Sequence, residues 1–355
     1  MTQSLTCAAI VARLEEQKLD YSVIRLQNSY RIIVTKRGGR VFGPFESDDS
    51  EGVLWVNQAF GDGKQFADFI AQGIWNLGGD RIWVAPEIPM FTRKRSDFFG
   101  TTYPQPELDP GSYTLETIPD GVKLEQHVAV DVFESDIQRK AFYVGKELRP
   151  AADPLRQLKR YAELIKDVSF CGYQQTVTVT DESPESPQYL EAWNLCQVVP
   201  GGLIYTPFNG EFEFVDYYRP VENMQTVRPG LAVLKATGDR QYKVGYPSAI
   251  VTGRAAYVKP LADGQLLLFV KNYFNNPSSV YSCEPFDKPG EIGCSLFVYN
   301  DDGDLGGFTE FENTFQTVGG DTQLASTTDS VQNWFYYGAP QNIARIAKAL
   351  VGIDI

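Results

Sequence analysis

Apolar and polar residues alternate along most of this chain. The segment GVKLEQHVAVDVF (residues 121–133) places Val122, Leu124 and Val128 on one face and Lys123 and His127 on the other, which is the period of a β-strand. Several later segments have similar strand character and are separated by turn signals: QTVTVT, FEFVDYY, AAYVKPL, QLLLFVKNYF, CSLFVYN and FTEFENTF. Such a train of strands predicts a sandwich or a barrel.

Four short helices interrupt this pattern, over residues 5–19, 64–73, 153–166 and 340–351. The third is predicted from Asp153 as N-cap and Pro154 at the first helical position. Gly38 and Gly39 can adopt positive φ at little cost and predict a tight reversal. No internal repeat or long linker is present. We therefore expect one all-β domain over residues 1–355, a large antiparallel β-sandwich with a few peripheral helices.

Composition excludes several classes of protein. Hydrophobic residues make up 43% and charged residues 22% of the chain, which argues against disorder. The net charge of −13 argues against binding to nucleic acid. No apolar run is long enough for a transmembrane helix, so no membrane association is expected. The N-terminus lacks the basic start of a signal peptide, and a cytoplasmic location is predicted.

Metal and cofactor chemistry is not indicated. The five cysteines have no CxxC spacing and are expected to be reduced thiols, with a bridge between Cys283 and Cys294 left open. One histidine and no ligand-spaced cysteines argue against a transition-metal site. No GxGxxG, Walker or GxSxG motif is present, so no cofactor is predicted.

The segment WNLGGDRIWVAPE (residues 75–87) is the most unusual in the chain. Together with the preceding GGRVFGPF and the strands that follow, it resembles the galactose-mutarotase-like superfamily, in a branch with a Gly-Gly-Asp-Arg-x-Trp-x-x-Pro-Glu motif. The resemblance extends from about Tyr21 to Gly320. It implies a large twisted antiparallel β-sandwich, a supersandwich, whose concave sheet binds carbohydrate. Mutarotases carry Asn-Arg where this chain has Asp80-Arg81, and the resemblance implies that Arg81 reaches sugar hydroxyls.

The residues of this segment suit carbohydrate by themselves. The fork of donors on Arg81 matches hydroxyl and ring oxygens, and Asp80 could orient it. Trp83, or Trp75, offers a flat apolar face to a pyranose. The alternative interpretation is a structural ion pair of Arg81 with Asp80 or with Glu87, with both tryptophans in the core. The remaining predicted substrate-binding residues of the segment are Asn76 and Glu87.

Sugar epimerisation needs a base at the anomeric hydroxyl and an acid at the ring oxygen. Enzymes of the family that the chain resembles use a glutamate and a histidine. The segment GGFTEFENTF lies where the resemblance places the glutamate. Glu310 and Glu312 are two residues apart in a predicted strand, so they share a face about 6.8 Å apart. Either is a candidate catalytic residue, and the alternative is a pair of solvated glutamates on an edge strand.

A histidine is lacking at both positions where the family carries one. His127, the only histidine, lies on the polar face of its strand and is a candidate replacement acid, or simply a surface residue. One of the two regions reads EAWNLCQVVPGG, where Trp193 and Gln197 are predicted to face the pocket. A glutamine can bind a hydroxyl but cannot serve as an acid. Lys243, in QYKVGYP, is predicted to reach the cleft or to belong to a structural loop.

Three functions follow from these observations. The first is a carbohydrate-binding protein of mutarotase-like fold without standard epimerase chemistry. The second is an aldose 1-epimerase-like enzyme, an isomerase, with a replaced general acid. The third is a protein-interaction scaffold that binds no small ligand. The predicted partner in the first two cases is a small sugar or saccharide, and the sequence leaves its identity and the oligomeric state open.

Overall fold

Two antiparallel sheets packed face to face form the protein, as the sequence predicted. The computed structural model describes residues 5–133 and 139–355. Within these residues each sheet has ten strands, and each strand pair is antiparallel. One large hydrophobic core, drawn from the facing sides of both sheets, lies between them. The chain is therefore an all-β sandwich with peripheral helices.

The first sheet carries the site described below. Its strand order is β1-β2-β3-β4-β9-β18-β17-β14-β11, and β19 pairs with β9. The strand bounds are β1 (Tyr21–Arg25), β2 (Arg31–Thr35), β3 (Val41–Phe45), β4 (Asp80–Ala85), β9 (Tyr189–Val198), β11 (Val215–Asp216), β14 (Tyr242–Pro247), β17 (Cys294–Asn300), β18 (Thr309–Thr314) and β19 (Val318–Gly319).

The second sheet closes the core from the other side. Its order is β12-β13-β10-β15-β16-β20-β8-β7-β6-β5. The strand bounds are β5 (Thr114–Ile118), β6 (Gly121–Asp131), β7 (Arg139–Pro150), β8 (Val168–Asp181), β10 (Gly202–Pro207), β12 (Gln225–Arg228), β13 (Leu231–Ala236), β15 (Arg254–Pro260), β16 (Leu266–Tyr273) and β20 (Ser326–Gly338). Alternate residues of β6 are buried, which confirms the period of two read from its sequence.

Helices cover parts of both outer faces. The six helices are α1 (Cys7–Glu16), α2 (Gly63–Ala71), α3 (Glu87–Phe91), α4 (Phe98–Thr101), α5 (Tyr161–Leu164) and α6 (Pro340–Val351) in the described part of the chain. Helices α1 and α2 pack on β2 and β3 through a phenylalanine-rich cluster. Helix α6 packs Ile343 and Ile346 on the second sheet. The centre of the first sheet is left to be covered by loops.

Two predicted features differ from the structure. The predicted helix over residues 153–166 is a 3-10 turn (Pro154–Gln157) followed by the short α5. Residues 156–160 are all exposed, and a helix with no packed face in its middle gains little from tertiary contacts. Within FEFVDYY, only Val215–Asp216 forms a strand. All five cysteines are buried free thiols, as expected, and the bridge that was left open between Cys283 and Cys294 is not formed.

Helix α1 lies within the predicted range 5–19, and α6 spans the predicted residues 340–351. Helix α2 begins one residue before the predicted range 64–73 and ends two residues before the end of that range. Gly38 and Gly39 have the expected positive φ values of 69° and 53°. In the described residues, no helix has the length and apolar character needed to cross a bilayer.

A buried carboxylate joins the two sheets. Asp80, on β4 of the first sheet, accepts hydrogen bonds from Tyr173 and Gln175 on β8 and from Asn333 on β20. Asn194, on β9, donates to its other oxygen. Each of these donors is itself buried. If the Asp80 carboxylate were removed, each donor would lose its hydrogen-bond partner, and water could not replace it. Asp80 therefore fixes how the sheets sit on each other.

The negative charge of the Asp80 carboxylate also favours the protonated form of two buried lysines of the second sheet. Lys146 donates to the Gly39 carbonyl, and Lys271 donates to the side-chain oxygens of Asn194 and Asn313. Burial lowers the pKa of both amines, that of Lys146 to about 8, and the negative charge of Asp80 opposes this shift. The interior thus holds cations whose charge is partly balanced by one aspartate.

We expect Asp80→Ala to lower the free energy of unfolding by about 3 kcal/mol or more, because it leaves several buried donors without an acceptor. Asp80→Asn should cost less, since its amide oxygen still accepts. Urea denaturation of both variants measures the difference. Asp239→Ala, at an exposed position, is the control. A stability of Asp80→Ala within 0.5 kcal/mol of the parent, roughly the scatter of surface substitutions, would contradict the prediction.

Candidate functional site

A cleft of about 380 Å³ opens on the outer face of the first sheet, a volume near the lower end of ligand pockets. Strand alternation decides which side chains reach it. Asp80 faces the second sheet, so its neighbour Arg81 faces the cleft. The register then places Leu195 beside Arg81 and Glu312 beside Leu195. Five central strands, β4, β9, β18, β17 and β14, form the floor.

Arg81 and Glu310 form the central ion pair of the floor. Arg81 Nη1 donates to Glu310 Oε1 at 2.8 Å. Gln197 Nε2 donates to the same oxygen at 3.0 Å and to Asn76 Oδ1 at 3.1 Å. Arg81 is only 1% exposed, yet it lines the cleft, and its Nε has no partner among the described residues. The pair is therefore rigidly held at the bottom of the cavity.

Aromatic rings form one wall beside this pair. The aromatic wall consists of Trp75, Trp83, Phe91 and Trp193, with neighbouring ring centroids 5.1–6.4 Å apart. The Arg81 guanidinium lies 4.2 Å from the Trp83 centroid and 5.3 Å from that of Trp75, within range of a cation–π contact. Trp75 is half-buried, whereas Trp83 and Trp193 are buried. Of these rings, Trp75 has most free surface to offer a ligand.

A second buried ion pair positions the wall. Asp109 accepts from Trp83 Nε1 at 2.8 Å and from Arg40, which also donates to the carbonyls of Trp75 and Gly78. Burial lowers the pKa of Arg40 to about 10, although Asp109 opposes the shift. At Gly78, a Cβ would lie 2.4 Å from the Trp55 carbonyl oxygen. The chain therefore needs glycine there to pass close to the backbone of Trp55 and Val56.

The far side of the floor holds a second charged group. Lys243 Nζ lies 2.8 Å from Glu87 Oε2, 3.9 Å from Glu312 Oε2 and 4.3 Å from the Trp193 centroid. Tyr218 donates to the other oxygen of Glu87. Burial lowers the pKa of Lys243, but the carboxylates of Glu87 and Glu312 outweigh it and raise that pKa above its ordinary value. Lys243 is therefore charged and already paired.

Glu312 is a carboxyl group of the floor whose pKa is raised into the neutral range. Burial raises its pKa from 4.5 to about 8, with Lys243 opposing and Glu310 and Glu87 adding to the shift. Oε2 accepts from Trp193 Nε1 at 2.9 Å and is the oxygen nearest Lys243. The other oxygen, Oε1, is buried and has no hydrogen-bond partner among the described residues. A carboxyl group whose pKa lies near neutral pH can hold a proton there, which is what a general acid requires.

Most of the predicted site residues meet in this cleft. Seven of them line it directly: Arg81, Trp83, Glu87, Trp193, Lys243, Glu310 and Glu312. Asn76 and Gln197 lie just behind and hold Glu310 in place. Both glutamates of β18 are buried in a central strand between β9 and β17, so the alternative of a solvated edge pair does not apply.

Two predicted positions are corrected by the structure. Asp80 does not orient Arg81, because adjacent residues of a strand point to opposite faces and its carboxylate lies between the sheets. The ion-pair partner of Arg81 is Glu310, rather than Asp80 or Glu87. His127 lies on β6 of the other sheet, exposed and 2.7 Å from Glu182, and it does not line the cleft. The polar face of β6 points to solvent.

Several cleft residues were not predicted. Arg40 and Asp109 are far apart in sequence, and no local pattern indicates their pairing. Helix α4 brings Phe98 and Phe99 to the mouth, and the segment before β12 brings Tyr218. The DDGD segment (residues 301–304) begins a turn, in which Asp301 accepts hydrogen bonds from the backbone N–H groups of Gly303, Leu305 and Gly307. Among residues 5–133 and 139–355, no cluster suits a metal ion.

Comparison with known proteins gives only distant likenesses. No family model and no curated protein matches the chain. Its structure is similar to that of a candidate aldose 1-epimerase from Klebsiella pneumoniae, with a TM-score of 0.46 and 9% identity, over 91% of this chain and 80% of that one. It is also similar to 4-alpha-glucanotransferase from Thermococcus litoralis, with a TM-score of 0.32 and 10% identity. There it covers 90% of this chain but 39% of that enzyme. At this distance neither likeness bears on activity.

The neutral Glu312 predicts a pH-dependent stability. Because its pKa is higher in the folded state than its ordinary value of 4.5, the stabilisation is complete below pH 4.5 and is lost as pH rises through about 8. Glu312→Gln cannot ionise, so its melting temperature relative to the parent should rise between pH 5 and pH 8.5. Melting curves across this range, with exposed Glu291→Gln as control, measure it. A constant difference would contradict the assignment.

Proposed function

We propose that the cleft binds a saccharide, and that the chain is a carbohydrate-binding protein on a sandwich of the galactose-mutarotase type. The observation that carries this proposal is the pairing of a buried, hydrogen-bonded floor with an aromatic wall in one cavity. Sugars need both: polar groups at fixed positions for their hydroxyls and flat apolar faces for their C–H groups.

The charges of the floor favour an uncharged sugar. Arg81 is paired with Glu310 and Lys243 with Glu87, so neither cation is free to neutralise a phosphate or carboxylate. An anionic ligand would have to compete with a carboxylate at 2.8 Å in each case. A hydroxyl, in contrast, can donate to these carboxylates and accept from the cations without breaking either pair.

A second candidate function rests on Glu312. A carboxyl group whose pKa burial raises to about 8, two residues from a carboxylate that accepts from Arg81 and Gln197, supports proton transfer on the bound sugar. Glu310 would then act as base and Glu312 as acid, replacing the histidine that the chain lacks. This is the aldose 1-epimerase-like alternative with a different acid. It is tested separately from saccharide binding and can fail while binding stands.

We expect Trp75→Ala to weaken saccharide binding roughly tenfold, since it removes a half-exposed aromatic face from the cleft. Ligand-detected NMR with a panel of neutral aldoses and their methyl glycosides identifies a ligand, and calorimetric titration gives the affinities. Ile74→Ala, an exposed neighbour outside the cleft lining, should leave the affinity unchanged. If no sugar of the panel binds, the cleft is not a saccharide site, and a protein-interaction scaffold becomes the favoured function.

If the protein also catalyses anomer exchange, we expect Glu310→Gln and Glu312→Gln each to slow it by roughly 100-fold or more. The rate should also fall above about pH 8, where Glu312 loses its proton. Polarimetry and exchange NMR measure both. His127→Ala should retain the parental rate because the imidazole lies outside the cleft. If the parent protein does not accelerate anomer exchange, saccharide binding is the only function that remains. Full activity of Glu312→Gln would show that Glu312 is not the acid.

A further inference from the structure

The mouth of the cleft carries an unusual amount of exposed aromatic surface. Phe99 is 48% exposed and Tyr103 is 57% exposed, and both line the cleft. Four Phe and Tyr side chains are exposed in the described part of the chain, and two of them line this one cleft. Leu305, also exposed, lines the same mouth. Exposed apolar surface that adjoins a pocket usually marks a contact with a ligand.

These rings are held in place rather than loosely attached. Phe99 makes edge contacts with Tyr218 and Phe286, at centroid distances of 5.8 Å and 5.5 Å. The Tyr103 hydroxyl donates to the Gly100 carbonyl. The backbone N–H of Tyr103 donates to the backbone carbonyl of Phe91, a residue of the aromatic wall. A fixed ring loses little conformational entropy when a ligand stacks on it. We call Phe99 and Tyr103 the rim pair.

The rim pair lies one aromatic layer outside the floor. Lys243 Nζ is 5.1 Å from the Tyr218 ring, and Tyr218 is in turn 5.8 Å from Phe99. A sugar ring seated on the polar floor therefore contacts Arg81 and Lys243, while the rim pair remains beyond that ring. The cleft has two levels of different chemistry, a charged floor and an apolar rim.

We propose that the saccharide has at least two rings, with its terminal ring on the floor and the next ring stacked on Phe99 and Tyr103. This inference rests on the proposed saccharide binding and extends it to the size of the ligand. The ligand class is a neutral glycoside or the end of an oligosaccharide, rather than a free monosaccharide. Asp302 and Asp304 also line the cleft and outnumber Arg219, whose guanidinium lies 5.5 Å from the Phe99 centroid. The net negative charge of these three residues disfavours a phosphorylated or acidic second ring.

The test compares sugars of different length on the same protein. Calorimetric titration would use glucose, galactose and mannose, each beside disaccharides that end in the same sugar, including maltose, cellobiose and lactose. We expect a matching disaccharide to bind roughly tenfold more tightly than its terminal monosaccharide, from stacking on the rim pair. Phe99→Ala and Tyr103→Ala should remove most of this gain and leave the monosaccharide affinity unchanged.

Two further variants separate stacking from unspecific effects. Phe99→Leu keeps an apolar side chain but lacks a flat face, and it should lose the gain as Phe99→Ala does. Phe274→Ala, at a matched exposure of 47% outside the cleft lining, should retain it. A disaccharide that binds no more tightly than its monosaccharide, or a gain that survives both rim substitutions, overturns the two-ring inference while saccharide binding stands. Failure of sugars of both lengths to bind overturns both.

Discussion

The arrangement of this protein depends on the Asp80 carboxylate, which is buried between the two sheets. Its two oxygens collect donors from β8, β9 and β20, so it fixes both the separation of the sheets and the face that β4 presents to each side. Since adjacent strand residues point in opposite directions, this one constraint turns Arg81 outward and makes it the floor of the cleft. Two consecutive residues thus have different tasks: one joins the sheets, and the other prepares a binding surface.

The cleft itself is organised by paired charges. Arg81 with Glu310, and Lys243 with Glu87, are buried pairs at 2.8 Å, and such pairs are costly to desolvate unless further hydrogen bonds complete them. Gln197, Tyr218 and the aromatic wall supply those contacts. The carboxyl group of Glu312 is different. Lys243 lies nearer to Glu87 than to Glu312, so burial has the larger effect and raises the pKa of Glu312 to about 8. A rigid surface of fixed donors and acceptors, with one neutral acid among them, is what the strands provide.

The walls and mouth of the cleft come from loops and short helices instead. The 301–307 turn, α3, α4 and the segment around Tyr218 all reach the cavity, and each is anchored to the sheet by a few specific contacts. Helices α1 and α2 pack on the β2–β3 end of the first sheet. The outer face at the centre of this sheet is therefore left to serve as a binding surface. The second sheet has part of its outer face covered by α6. This division places fixed polar chemistry on strands and apolar contact on the segments that connect them.

The sequence by itself determined the strand period, the sandwich class, the bounds of α6 and the shared face of Glu310 and Glu312, because these depend on residues close together in the chain. It also singled out residues 75–87 and the polar positions of β9 and β18 that meet there. Only the tertiary structure decided that Asp80 faces inward, that Glu310 rather than Asp80 or Glu87 pairs with Arg81, and that His127 lies on the other sheet. Those outcomes depend on strand order and on which face of each sheet is covered. The pair of Arg81 and Glu310, for example, joins residues 229 positions apart. Local patterns carry no information about such pairs, since the energy of a buried charge is set by the neighbours that folding brings to it.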